Sequence, residues 1–232
     1  MGRGGSARRK STGGAAPALA ALLWALPGTA SETLCPGIDI RVTTQDVGLA
    51  GRTCRAAGAA IETFAACGHS LDTGLSITIL DRLDPVCLGL FHCGTDRIEV
   101  LSPAAIATTR RPDGIFAHVP AERMFDSIVL HEMTHALYDG TPCPFRHCVA
   151  TSEYLAYAFQ IDALSPEDRA PIAARMDLAQ PVKRDAINAM LLMLAPDRFA
   201  LNAWAHLEQR ADRCAWIDGI LQGGIVFDHA LP

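Results

Sequence analysis

Residues 125–139 read Phe-Asp-Ser-Ile-Val-Leu-His-Glu-Met-Thr-His-Ala-Leu-Tyr-Asp and hold, at His131-Glu132-Met133-Thr134-His135, the pattern His-Glu-x-x-His. The run contains neither Pro nor Gly, and Ile128, Val129, Leu130, Met133, Ala136 and Leu137 surround its polar residues. This predicts a helix buried on most of its sides. His131 and His135, four residues apart, lie one above the other on one face, so both imidazoles reach a single ion. Glu132 is turned about 100° from His131, which sets its carboxylate beside the ion and in reach of a proton on water. Burying these three side chains is costly without partners, and a metal supplies one. Two core histidines satisfied by ordinary hydrogen bonds are the structural alternative.

Working outward, the third ligand expected is Glu153, 18 residues after His135 and beyond a connection holding Pro142, Pro144 and two cysteines. Thr151 or Ser152 can cap the new helix, placing Glu153 in its first turn. Two antiparallel helices joined in this way bring His131, His135 and Glu153 together. A His₂Glu set leaves the fourth tetrahedral position open, as in catalytic zinc sites. The alternative for Glu153 is a carboxylate favoured at a helix start by the macrodipole.

Upstream, alternation of apolar and polar residues predicts strands at 38–43, 75–80 and 97–101, with an Ala-rich helix over 46–66 between the first two. Pro103, Pro112, Gly114 and Pro120 punctuate the way into a helix over 121–139. Downstream of Glu153 the chain reads as helical. Ser165-Pro166-Glu167-Asp168 is a helix start, and 184–194 and 197–215 are further helices. The expectation is an α+β domain: a small mixed sheet with a backing helix, the His-Glu-x-x-His helix, then a helical lobe forming the far wall of a cleft.

Residues 1–30 read as a signal peptide: Arg8, Arg9 and Lys10, an apolar core from Ala15 to Leu26, and small residues before a cut after Ala30. The remainder, 31–232, fits one domain. All eight cysteines lie in it, which in an exported chain argues for disulfides. Cys87 with Cys93 and Cys143 with Cys148 are the short-range candidates. Cys35, Cys54, Cys67 and Cys214 are left for longer links. A Cys143–Cys148 bridge closes the loop between the two ligand helices.

The formal charge is −5, and removing the four positive charges of residues 1–30 takes it to −9. With Lys183 the single lysine left and no basic cluster, nucleic acid and anionic membranes are not expected partners. At 50% hydrophobic residues the chain is not disordered. For a donor to an oxyanion, His206 is the histidine candidate and Tyr154 and Tyr157 the tyrosines, each with a structural role as its alternative. His69, His92, His118 and His229 have no spacing that implies chemistry. His147, between the cysteines of the connecting loop, is a competing metal ligand.

Residues 131–139 resemble the active-site helix of thermolysin-like metallopeptidases, and His131, His135 and Glu153 resemble the gluzincin ligand set. The resemblance is close around these two helices and loose over 38–163. The whole chain resembles a small uncharacterised family of exported bacterial proteins more than a known protease. The resemblance implies a zincin-like fold, bound Zn²⁺, and an edge strand near the metal that pairs with extended peptide substrate, for which 97–101 is the candidate. It also marks departures. Tyr157 stands where the thermolysin pattern has an Asp that orients a ligand histidine, so Asp139 or a backbone carbonyl is expected to orient it instead. Tyr138 and Thr141 replace the Gly and third His of metzincins. The leading expectation is an exported, periplasmic or extracellular zinc hydrolase, a peptidase with a peptide or protein substrate and Glu132 as general base. The alternatives are a non-catalytic binding module on the same fold and a domain in which zinc is structural.

Overall fold

Alternation sets the centre of the sheet. The computed structural model describes residues 1–2, 4–5, 30–71, 74–84 and 87–229, so the leader expected over 1–30 lies almost wholly outside it. The strands are β1 (Ser31–Leu34), β2 (Ile40–Thr44), β3 (Leu75–Leu80), β4 (Gly89–His92) and β5 (Arg97–Leu101), in the order β1-β2-β3-β5-β4. β2, β3 and β5 run parallel, and β1 and β4 pair antiparallel at the two edges. Ile40, Val42, Ile77, Ile98 and Val100 are buried at alternate positions, as a half-buried sheet requires.

α1 (Val47–Ala65) crosses between β2 and β3. Asp46 starts it by accepting from the amides of Gly48 and Leu49 at 2.7 and 3.1 Å. Its buried face is Ala50, Thr53, Ala56, Ala57 and Ala60, small residues that allow close packing, and Phe64 in its last turn. α2 (Pro103–Thr109) begins at Ser102, whose hydroxyl accepts from the Ala105 amide, with Pro103 in the first turn. That Ser-Pro start is the sequence signal for a helix that proline punctuation obscured. α3 (Ala121–Tyr138) then runs through the middle of the molecule, packed on α1, α2, β4 and β5. Arg52 of α1 clamps Asp126 of α3 with two hydrogen bonds of 2.8 and 2.7 Å.

α4 (Val149–Asp162) lies on α3, and on the other side of α4 comes α7 (Pro196–Glu208). α5 (Pro166–Ala173) starts at Ser165 as expected. The helix expected over 184–194 is divided into a 3₁₀ turn, Arg184–Ala186, and α6 (Ala189–Leu194), because Asn188 starts a new helix by accepting from the Leu191 amide. The helix expected over 197–215 ends at Glu208, and Asp212 caps a separate α8 (Arg213–Leu221).

Three disulfides join Cys35 to Cys54, Cys67 to Cys214 and Cys143 to Cys148. The expected Cys87–Cys93 bridge is absent, and both are free thiols. They flank β4, and an extended strand rising about 3.3 Å per residue carries its ends far beyond the ~7 Å between Cα atoms that a disulfide spans. Residues 97–101 are likewise no edge strand. β5 has β3 on one side and β4 on the other, so β4 is the edge beside α3. Among the described residues no helix is long and apolar enough to cross a membrane.

Candidate metal centre

α3 carries His131 and His135 on the face turned to α4, and α4 returns Glu153. The two Nε2 atoms are 3.2 Å apart, and the Glu153 carboxylate oxygens lie 3.5 Å from His131 Nε2 and 3.6 Å from His135 Nε2. Ligands about 2.0–2.1 Å from one tetrahedral ion are spaced roughly 3.3 Å from each other. The three donors therefore already sit at the separation of a shared ion. Among the described residues this is the one cluster of His, Cys, Asp or Glu with such convergence.

The other imidazole nitrogens are committed elsewhere. His131 Nδ1 donates to Gln160 Oε1 at 3.0 Å, Gln160 Nε2 donates to Ser127 Oγ at 3.2 Å, and Ser127 donates to the Met124 carbonyl at 2.8 Å. Every donor and acceptor in this chain is consistent with one tautomer, in which the Nε2 lone pair faces the cluster. His135 Nδ1 is hydrogen-bonded to Ser152 Oγ at 2.7 Å, and with Nδ1 as the donor its Nε2 lone pair also faces the cluster. Hydrogen bonds of this kind orient ligand histidines and raise their basicity.

The sequence did not single out Gln160 or Ser152 for this task. Gln160 is two helical turns beyond Glu153 on the same face, a spacing that could have found it. Asp139, expected to orient a histidine, instead accepts from the Gly94 amide at 2.9 Å and ties the end of α3 to the β4–β5 turn. The cap expected from Thr151 or Ser152 is also absent. Cys148 is the N-cap and Glu153 lies in the second turn, because both hydroxyls are used in tertiary hydrogen bonds.

Glu132 projects beside the cluster toward β4. An added Cβ at Gly89 would stand 2.5 Å from Glu132 Oε1 and 2.8 Å from both Glu132 Cγ and Ile128 Cγ2, so a glycine is needed for β4 to pass α3 here. Burial pushes the Glu132 carboxyl up to about 7, helped by the Glu153 charge and opposed by His131 and by the Phe91 backbone. Burial pushes His135 down to about 4, with the His131 charge acting in the same direction. Burial also opposes charge on His131 and Glu153, yet their mutual hydrogen bond and attraction prevail, raising the pKa of His131 and lowering that of Glu153. The cluster thus favours opposite charges on Glu153 and His131 and a neutral His135.

The centre forms one wall of a cleft of about 870 Å³ bounded by β4, the 109–117 loop, the Cys143–Cys148 loop and the start of α7. Tyr157 lines it, half-buried, its ring 4.7 Å from that of His131. Burial first, then the charges of Glu153, Glu132 and Asp197, raise its phenol well above the usual range, so it stays a donor. His147 is on the exposed rim of the cleft and outside the three-residue cluster.

His206 and Tyr154 are elsewhere. They hydrogen-bond each other at 2.9 Å on the opposite side of α4, packed with Phe227 and Trp216, and neither lines the cleft. As oxyanion donors for this centre they are excluded by position, since α4 itself stands between.

No curated protein and no solved structure matches the chain. Residues 40–230, which include every residue of this centre, match a family described as of unknown function, and the chain belongs to that family, DUF6639.

Proposed function

We propose that the protein is an exported zinc-dependent hydrolase of peptide bonds on a zincin-like fold, with His131, His135 and Glu153 as metal ligands and Glu132 as general base. The observation that carries this reading is the convergence of two Nε2 atoms and one carboxylate, at ligand spacing, on the wall of an open cleft. Two imidazoles and a carboxylate are the donor set of catalytic zinc sites with an open fourth position. Zinc held there supplies Lewis acidity, polarising a carbonyl and making water a nucleophile near neutral pH.

The chain's own residues account for the other steps. Glu132, titrating near 7, takes the proton of the attacking water at a carboxylate oxygen and returns it to the leaving amine. Tyr157, kept protonated by its surroundings, donates toward the carbonyl oxygen as that atom gains charge. Gln160 and Ser152 hold the two imidazoles in the tautomer that leaves Nε2 free. β4 is an edge strand that passes beside Glu132, so an extended peptide can add to its outer side as a strand. Three disulfides and the leader read over residues 1–30 support an oxidising location, periplasmic or extracellular.

The test pairs metal content with turnover. The purified protein should hold about one zinc per chain. Glu132→Gln should hold as much while hydrolysis of a mixed peptide library falls by about 10²–10⁴-fold. Equal cleavage by both proteins would remove Glu132 from the reaction. Zinc retention without cleavage by either would favour a non-catalytic binding module.

A further inference from the structure

The first turn of α4 is capped from the far end of the chain. Its N-cap residue, Cys148, makes no side-chain cap and is tied up in a disulfide. The orphan amides of Ala150 and Thr151 instead donate to Asp228, at 2.9 Å to Oδ1 and 3.0 Å to Oδ2. The Thr151 hydroxyl donates to Asp228 Oδ2 at 2.7 Å and accepts from the Phe227 amide at 2.8 Å. A carboxylate there also complements the positive end of the helix dipole. The next two residues along α4 are Ser152, which holds His135, and Glu153.

We propose that Asp228 is a positioning residue of the metal centre, locking the first turn of α4 at the rotation that aims Ser152 and Glu153 at the two histidines. A slip of one residue would turn Glu153 by about 100° and take it off the cluster. The tail that carries Asp228 is itself anchored. Phe227 stacks on Tyr154 with ring centres 4.2 Å apart, Arg184 donates to the Val226 carbonyl, and the Ile225 amide bonds Gly219 at 2.9 Å. Tyr138, in the last turn of α3, meets the same node. Burial, then the Asp228 charge, push its phenol up to about 12.

This inference rests on the zinc reading of the cluster, so the experiment has one arm that needs no metal. In Asp228→Ala, zinc affinity measured by competition with a chelator should fall by about 10–100-fold, the usual effect of removing a group that supports a ligand. Asp168→Ala supplies the matched control. That carboxylate is also buried, at 3% exposure against 8% for Asp228, and is clamped by Arg123 outside the cleft. It should leave zinc affinity within about twofold, which separates positioning from general loss of stability. In the metal-free protein, hydrogen exchange at amides 150–153 should quicken in Asp228→Ala and not in Asp168→Ala. Asp228→Asn keeps one acceptor oxygen, should fall between, and carries the test if the alanine variant does not fold.

Unchanged exchange in the α4 turn overturns the proposal whether or not zinc binds. So does wild-type zinc affinity in Asp228→Ala, or an equal loss in Asp168→Ala. A wild type that binds no zinc, with exchange still quickened, overturns the metal centre and leaves Asp228 a cap alone.

Discussion

Glu153 and Tyr154 are neighbours on α4, yet one looks into the cleft and the other into the core, and each meets histidine. The two histidine environments share more than their difference in role suggests. Both are largely buried, both engage an oxygen from α4, and burial lowers His135 and His206 alike to about 4. Depressed basicity therefore does not separate a candidate ligand from a core residue.

What separates them is where the lone pairs point. His131 and His135 spend Nδ1 on Gln160 and Ser152 and turn Nε2 toward each other and a carboxylate. His206 spends Nδ1 on the Tyr154 hydroxyl, packs its ring against Trp216 and Phe227, and has no carboxylate partner among the described residues. One arrangement gathers donors around a shared point on the cleft wall. The other is complete as it stands.

That contrast can be broken most sharply at the ligand itself. Glu153→Ala should reduce bound zinc from about one per chain to nearly none, while His206→Ala keeps it; metal analysis of the two dialysed proteins decides. Full retention in Glu153→Ala would remove that residue from the ligand set. Next in size is the pair of tyrosines. Tyr157→Phe should lower kcat by about 10²–10³-fold with zinc retained, the cost of losing one oxyanion donor. Tyr154→Phe should leave kcat near wild type, as its hydroxyl serves His206. Equal kcat values for the two variants would erase the distinction between the faces.

Stability should rank the faces in the opposite order. His206→Ala opens a cavity and leaves the buried Tyr154 hydroxyl unpaired, a loss of about 2–4 kcal/mol by urea unfolding. His135→Ala, measured without zinc, should cost about 1 kcal/mol or less, because His135 lines the open cleft and water can take the place of its lost contacts. A larger loss for His135→Ala than for His206→Ala would reverse the assignment.

The remaining effect is with pH. His206 has a folded pKa of about 4, below the ~6.5 of an unfolded histidine, through burial first and then Arg210 and Arg184. The unfolded chain therefore takes up this proton first. The stabilisation from keeping His206 neutral is fully present above about 6.5 and is lost as pH falls from there toward about 4. In zinc-free protein the decline should be shallower for His206→Phe than for wild type, and identical slopes would show that His206 titrates freely.

Much of this molecule could be read locally. The alternation at 75–80 and 97–101 coincides with β3 and β5, Ser165-Pro166 opens α5, and the stretch from Cys143 to Cys148 is closed by their disulfide. Each depends on contacts within a few residues. β4 was hidden because Gly89-Leu-Phe-His is too short to alternate and forms only by pairing back on β5. Its position made 97–101 an inner strand and held Cys87 apart from Cys93.

The same division runs through the candidate centre. By itself the sequence determined which side chains could share an ion, since spacing of four on a helix and a following helix start are local geometry. Only the tertiary structure decided what supports them: Gln160 and Ser152 rather than Asp139 behind the imidazoles, Gly89 making room for Glu132, Asp228 capping α4, and His206 facing away. These choices are made between residues up to 78 positions apart, where packing sets the partner and no local pattern announces it.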